Sequence, residues 1–379
     1  MNIKYFDNAA TTAVKEEVLR EMLPYFNIEY GNPSAMYNLG RRAKKDIEQA
    51  RNKVAKVLNA YPKEIYFTGC GTESDNLAIK GIAYANKNKG NHIITSRIEH
   101  PAVLNTCHTL EKEGFIVTYL NVNQEGIVDV NELVGAITDK TILISIMFAN
   151  NEIGTIQPIK EIGEIAKAKN IYFHTDAVQA VGSLKIDVSK LNIDLLSMSA
   201  HKFYGPKGVG ALYVKQGINM QKIQDGGHQE KDKRAGTENV SGIVGLGKAI
   251  ELAYNDIDGY TDKLTSLRDY YISQVEERIP DVILNGHKDK RLPGNANMSF
   301  KNVKGESLLL NLDSCGIFAS SGSACSSGTD SVSHVLLAIG LQKEMANGAL
   351  RISIGENNTK EEIDYLVGKL VEIVDKLRK

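Results

Sequence analysis

TILISIMF (141–148), IYFHTD (171–176) and DLLSMS (194–199) follow one another along the chain, with a helical stretch over 158–169 between the first two. Each run is short and largely apolar. Strands of this kind, separated by helices, belong to a mostly parallel sheet covered on both faces, because parallel neighbours need crossover connections and the crossover helices shield both sides. The same reading extends outward: EIYFT (64–68), HIITS (92–96), FIVTYL (115–120) and GVGALYVK (208–215) are further strands. TESDNLAIKGIAYANK (72–87) is a helix with Leu77, Ala78, Ile82 and Ala85 on one face. Residues 240–279 read as one long helical region, of the kind that connects domains. DVILNG (281–286), NANMSF (295–300), a helix near 305–313, ALRISI (349–354) and a final helix over 359–378 follow. The expected fold is therefore α/β. A large domain over 15–255 carries the mostly parallel sheet, and a smaller α+β domain is built from 1–14 and 256–379.

A chain of 379 residues is long for a single core, which agrees with two domains. The formal net charge of -1 gives no global field for nucleic acid or an anionic membrane, so neither is expected as a partner. No apolar run is long enough to span a bilayer. The opening MNIKYFDNAATT lacks the apolar core of a secretory signal. A cytoplasmic protein is expected. Cys70, Cys107, Cys315 and Cys325 form neither a CxxC pair nor a zinc-ligand spacing, so no metal is expected and the thiols read as reduced.

Several short segments carry chemistry. In SAHKFYGPKG (199–208), Lys202 lies just past a strand end, where an α/β sheet presents its ligands. A desolvated lysine there forms Schiff bases, although an isolated lysine in such a place is usually a surface turn residue. Asp176 also ends a strand. Its carboxylate suits a protonated pyridine nitrogen, or else caps a following helix. Gln179 can reach the hydroxyl of such a ring. TGCGTESDN (68–76) is a glycine-rich turn from strand to helix, and the free N–H groups around Gly71 and Thr72 suit a phosphate. In RIEHPAV (97–103), His100 sits ahead of a helix starting at Pro101, placed to stack on a ring and move protons, or merely to cap. RAGTEN (234–239) offers Thr237 as a second phosphate contact, and LRISIG (350–355) offers Arg351 for a substrate carboxylate or for a salt bridge at the sheet surface. ASSGSACSSGTDSVS (319–333), too small and polar for a core, reads as a mobile surface loop around Cys325, and a plain linker would not need the thiol. Taken together, these pieces make one coherent site.

YFDNAATT (5–12), YGNPSA (30–35), GTESDN (71–76), EHPAV (99–103), NNEIGT (150–155), HTDAVQA (174–180), SAHKFYGPKG, GGHQE (226–230), RAGTEN, SSGSACSSG (320–328) and LRISIG run nearly from end to end of the chain. With them the sequence resembles the cysteine desulfurases of the NifS/IscS type, within the class V aminotransferase group of fold-type I pyridoxal-phosphate enzymes. SSGSAC in a long loop is specific for this branch. The resemblance implies pyridoxal 5'-phosphate as cofactor, with Lys202 binding it covalently, Asp176 at the pyridine nitrogen, Gln179 at the ring oxygen and His100 stacked on the ring. It implies Gly71, Thr72, Ser199 and His201 around the phosphate, joined by Thr237 from a partner subunit of a homodimer. Asn151 would contact cofactor or substrate, Asn32 and Arg351 the substrate carboxylate, and Cys325 would be the nucleophile.

The implied reaction converts L-cysteine to L-alanine and leaves a persulfide on Cys325. The persulfide would be passed to an acceptor such as an iron–sulfur scaffold protein. Two rivals on the same frame are a selenocysteine lyase and an aminotransferase; a cofactor-binding regulator without turnover is a third. The chain departs from the family pattern at ENNTKEEID (356–364), where relatives often have a basic or aromatic residue after the glycine, and at the final LRK (377–379), where many carry a further scaffold-binding tail. The usual mode of scaffold docking is therefore in doubt.

Overall fold

The computed structural model describes residues 3–321 and 332–379. Cys325 and most of the segment 319–333 lie outside the described residues.

The principal sheet has seven strands in the order Ile65–Thr68, Gly210–Val214, Leu195–Ser199, Tyr172–Asp176, Thr141–Ser145, His92–Ser96, Ile116–Leu120. All neighbouring pairs from Leu195–Ser199 to Ile116–Leu120 are parallel, and Gly210–Val214 runs antiparallel to both of its neighbours. The expected mostly parallel sheet is thus present. Its central strands are buried along their whole length, which is why they read as continuous apolar runs rather than as an alternation. Helices cover both faces. On one side, Asn38–Leu58 buries Ala43, Ile47, Ala50, Val54, Ala55 and Leu58 at helical spacing and stops where Asn59 turns left-handed at φ 55°. It lies closely along Val240–Asn255: a Cβ built on Gly247 would meet Ala50 Cβ at 2.6 Å, so glycine is what allows the approach. On the other side, Gly71–Ala85 and Pro101–Lys112 bury Leu77, Ile79, Ile82, Val103 and Leu110.

A second core is built from Ile257–Arg278, the antiparallel sheet Ala349–Ser353, Asn295–Phe300, Val282–Asn285, and the helices Gly305–Ser314 and Lys360–Leu377. Phe6 joins this core, and Lys4–Tyr5 pairs in parallel with Ile317–Phe318. The N-terminal stretch therefore packs on the second core. The expectation of one long helix over 240–279 does not hold. The helices Val240–Asn255 and Ile257–Arg278 are separated at Asp256, whose φ of -142° is outside the helical range. Its carboxylate accepts the N–H of Gly259 at 3.2 Å, so an aspartate that competes for backbone donors restarts the helix as an N-cap.

Candidate active site

The carboxyl ends of the parallel strands meet at a cavity of about 250 Å³. Its lining includes Gly71, Thr72, His100, Asn151, Asp176, Gln179, Ser199, His201, Lys202 and Arg351, ten of the expected site residues. This is the edge where open α/β sheets bind ligands, since each strand end releases a loop there.

Each residue is placed by its element. Lys202 follows the strand Leu195–Ser199 through a single tight turn, Ala200–Lys202. Its Nζ donates to the carbonyl oxygens of Ala9 at 2.6 Å and Ala10 at 2.7 Å. Asp176 closes the strand Tyr172–Asp176 and is 7% exposed. No helix follows it; its Oδ1 accepts the N–H of Val178 at 2.9 Å in a local turn, so the helix-cap alternative fails. Burial pushes its carboxyl upward, and the neighbouring His100 opposes that. His100 is the N-cap of Pro101–Lys112 and its Nδ1 accepts the N–H of Ala102 at 3.1 Å. That contact puts the proton of the neutral ring on Nε2, and burial lowers its pKa so that the ring stays neutral.

Three features fit a flat, phosphorylated nitrogen heterocycle such as pyridoxal phosphate. The helix Gly71–Ala85 opens at the cavity, and its first N–H groups have no partner within the helix. A Cβ at Gly71 would fall 2.6 Å from Val178 Cγ2, so only glycine leaves the helix start this close to the neighbouring turn. Ser199 Oγ, fully buried at the cavity, has no hydrogen-bond partner among the described residues, so a donor stands ready for an anion. Asp176 supplies an anion where a ring N–H would come. Ser199, His201, Gly71 and Thr72 would hold the phosphate, Asp176 and Gln179 the ring, and Lys202 the aldehyde carbon.

Arg351 comes from the middle of the strand Ala349–Ser353 and is 2% exposed, so its bridge is not a surface one. Its Nη1 donates to the carbonyl of Asn151 at 3.0 Å and its Nη2 to Asp7 Oδ1 at 2.8 Å. Asn32 and Thr237 do not line the cavity; both are exposed, with Asn32 Oδ1 accepting the N–H of Ser34 at 2.9 Å. Cys70 lines the cavity beside the helix start, whereas Cys107 is buried in the core and burial pushes its thiol to about 12.

Sequence reasoning assigned no role to Asp7, Ala9, Ala10, Thr11, Asp75, Glu99 or His334. The stretch Asp7–Thr12 touches the site through five residues, Asp7, Ala9, Ala10, Thr11 and Thr12. Besides the contacts to Arg351 and Lys202, the Ala9 carbonyl accepts Gln179 Nε2 at 3.0 Å. Thr11 Oγ1 meets His201 Nδ1 at 3.1 Å, and Thr12 Oγ1 donates to the His201 carbonyl at 3.0 Å. The signal was present as YFDNAATT, but backbone carbonyls carry no residue-type signature.

Behind Asp176, His174 is wholly buried, with Nδ1 2.9 Å from Ser145 Oγ and Nε2 3.0 Å from Ser197 Oγ. Burial lowers its pKa from 6.5 to about 3. The unfolded chain takes up this proton near pH 6.5 and the folded chain only near 3, so this stability is present above 6.5 and lost as pH falls through that window. The melting temperature of the parent protein is therefore expected to drop more steeply between pH 6.5 and 4 than that of His174→Gln. Equal slopes in parallel thermal melts would remove the histidine from the account.

Residues 4–366 match the family model for class-V aminotransferases. The chain is 60% identical over 376 residues to a cysteine desulfurase IscS of Clostridium botulinum, covering 99% of this chain and 95% of the relative. It is 58% identical to a cysteine desulfurase IscS of Methanosarcina thermophila, over 99% of this chain and 92% of that one. Among solved structures, a NifS-like protein superposes with a TM-score of 0.93 at 40% identity, covering 99% of this chain and all of the other. SspA in complex with cysteine gives 0.84 at 39% identity, over 94% of this chain and all of that one. With the sheet, the cavity and its lysine, aspartate and arginine in place, these matches show that the chain belongs to the class-V aminotransferase family and, within it, to the cysteine desulfurases.

Proposed function

We propose that this protein removes sulfur from L-cysteine with pyridoxal phosphate, releasing L-alanine and leaving a persulfide on Cys325. The observation that carries the reading is a single cavity lined by Lys202, Asp176, His100 and Arg351 in a chain so closely similar to cysteine desulfurases. The bound cofactor supplies an electron-accepting ring for the charge left when the Cα–H bond of an amino acid breaks. Arg351 takes the substrate carboxylate, as a guanidinium suits a planar anion. Lys202 Nζ removes the α-proton and returns a proton to the carbon skeleton, and neutral His100, protonated at Nε2, relays protons at the face of the ring. Cys325 then attacks the substrate sulfur as a thiolate: an S–S bond forms, the C–S bond breaks, and the carbon takes up a proton to end as alanine. Cysteine and an enzyme thiol thus become alanine and an enzyme persulfide, with no external oxidant. The structure of SspA with cysteine supports the choice of substrate.

We further propose a homodimer in which Asn32 and Thr237 complete the partner's site. Leu23, Phe26, Ile28, Tyr30, Met36 and Tyr37 are exposed apolar side chains around Asn32, a patch that a second copy would cover. The sulfur acceptor would be a protein such as an iron–sulfur scaffold, which the name IscS of the relatives supports. Cys70, Cys107 and Cys315 are free thiols, which supports a reducing, cytoplasmic setting. Among the described residues no helix is long and apolar enough to cross a membrane.

The test is to incubate the protein with L-cysteine and a thiol reductant and to measure alanine and sulfide together. Equal amounts are expected, with a loss of about 10³-fold or more in Cys325→Ala. An aminotransferase would instead consume a keto acid and tolerate that change, and a regulator would bind the cofactor without turnover. Sulfide release by Cys325→Ala at the parental rate ends the proposal.

A further inference from the structure

Arg351 is buried, and a buried guanidinium needs a counter-charge. Asp7 supplies it at 2.8 Å, while the Asn151 carbonyl fixes the other Nη at 3.0 Å, so the fork is held from two sides before any ligand arrives. Asp7 is itself held in place. Tyr5 Oη donates to its carbonyl at 3.0 Å, and Asp7 bridges in parallel to Ser353, two residues beyond Arg351 on the same strand. Its side chain is 18% exposed and is not part of the cavity lining, so Asp7 acts through Arg351 rather than on the ligand.

We propose that Asp7 is a positioning residue that sets substrate specificity: it presents Arg351 to one carboxylate and disfavours amino acids that carry a second. This inference rests on the reading of Arg351 as the carboxylate ligand. A lone guanidinium in a poorly solvated cavity attracts a dianion more strongly than a monoanion. With Asp7 bonded to it, the fixed pair is neutral overall. One carboxylate still finds directed N–H donors, but a second meets no uncompensated positive charge there. Among the described residues Lys202 is the only other lysine or arginine of the lining, so little positive charge is left over for a second carboxylate. A zwitterion with a small uncharged side chain, such as cysteine, fits this balance; aspartate or glutamate does not.

The experiment compares the cofactor-loaded parent with Asp7→Asn, Asp7→Ser and the charge-conserving Asp7→Glu. Binding of L-alanine and L-aspartate is measured by calorimetry, and KM and kcat for L-cysteine are measured separately. The parent is expected to prefer alanine. Asp7→Asn and Asp7→Ser should narrow that preference by about 10-fold, Asp7→Glu should retain it, and the kinetic change should fall on KM more than on kcat. Two uncharged variants are included so that one that folds poorly leaves the other to decide. An unchanged alanine-to-aspartate ratio in the uncharged variants overturns the inference. A parent that binds alanine but never turns over cysteine would overturn the desulfurase reading instead, because the binding ratios do not depend on turnover.

Discussion

Lys202→Ala is expected to lose at least about 10³-fold in alanine and sulfide formation, together with the visible absorbance that a lysine-bound pyridoxal phosphate gives. Two roles vanish with one side chain. The amine that would hold the cofactor carbon is gone, and so is the base proposed to move the α-proton. The structure adds a third. Lys202 Nζ ties the Ala9 and Ala10 carbonyls to the end of the strand Leu195–Ser199, so its removal takes a donor from each and leaves the Ala9 carbonyl with Gln179 alone. Lys202→Arg separates these effects. A guanidinium can still donate to both carbonyls, but it stays protonated at any working pH and forms no Schiff base. It should therefore recover the thermal stability lost in Lys202→Ala and none of the turnover. Measurable turnover in either variant above that of the free cofactor would show that another group takes the proton.

The largest effect on stability is expected from Glu230→Ala. Glu230 and Arg51 form a two-pronged pair, with Nη1 to Oε2 at 2.8 Å and Nη2 to Oε1 at 2.9 Å, and both side chains are at most 4% exposed. Glu230 Oε2 also accepts the N–H of Phe67 at 2.9 Å, and Arg51 Nη1 donates to the Ile65 carbonyl at 2.7 Å. Truncating the acid removes the buried counter-charge of Arg51, which keeps only the half-exposed Glu48 at 3.0 Å and the Ile65 carbonyl, and leaves a buried edge-strand N–H unpaired, which costs about 3 kcal/mol. The loss should be read as an earlier denaturation midpoint with an unchanged slope. Glu230, Lys231 and Asp232 all have positive φ, between 45° and 64°, a conformation that side-chain-bearing residues adopt only when their surroundings impose it. An Arg51→Met, Glu230→Met double variant should therefore regain part of the stability lost in the single variant, since an apolar pair leaves no buried charge.

The large sheet was legible because its strands are buried on both faces. HIITS, TILISIMF and DLLSMS announce themselves as apolar runs, and each is a strand of the central sheet. Strand ends were less legible. The pattern in TILISIMF continues to Phe148, but the strand stops at Ser145 because Ile146, Met147 and Phe148 stay buried in the turn that leads to the cavity. The long helical region read as continuous because its apolar spacing crosses Asp256 without a glycine or proline. The break depends on one side chain capturing a backbone N–H, a choice that periodicity does not register. In the site, the residues singled out for their type lie together: Lys202, Asp176, His100 and Arg351 all line one cavity. Residues that work through backbone atoms or as counter-charges were missed, with Asp7, Ala9 and Ala10 the clearest cases. Thr237 was read first from RAGTEN and Asn32 from the resemblance alone, and one chain by itself brings neither to the cavity.

The bond between Asp7 and Arg351 joins residues 344 positions apart. At the ribosome, where chains emerge at 5–20 residues per second, roughly 20–70 s pass between the synthesis of one partner and that of the other. The lining residues up to Lys202 and the seven-stranded sheet, complete at Val214, are translated while the arginine strand does not yet exist. During that interval the stretch Asp7–Thr12 can bond Lys202 and His201 but has no guanidinium to meet. The substrate end is thus a late product of translation. A chain that stalls between Lys202 and Ala349 lacks Arg351, and with it the counter-charge that Asp7 meets in the finished fold.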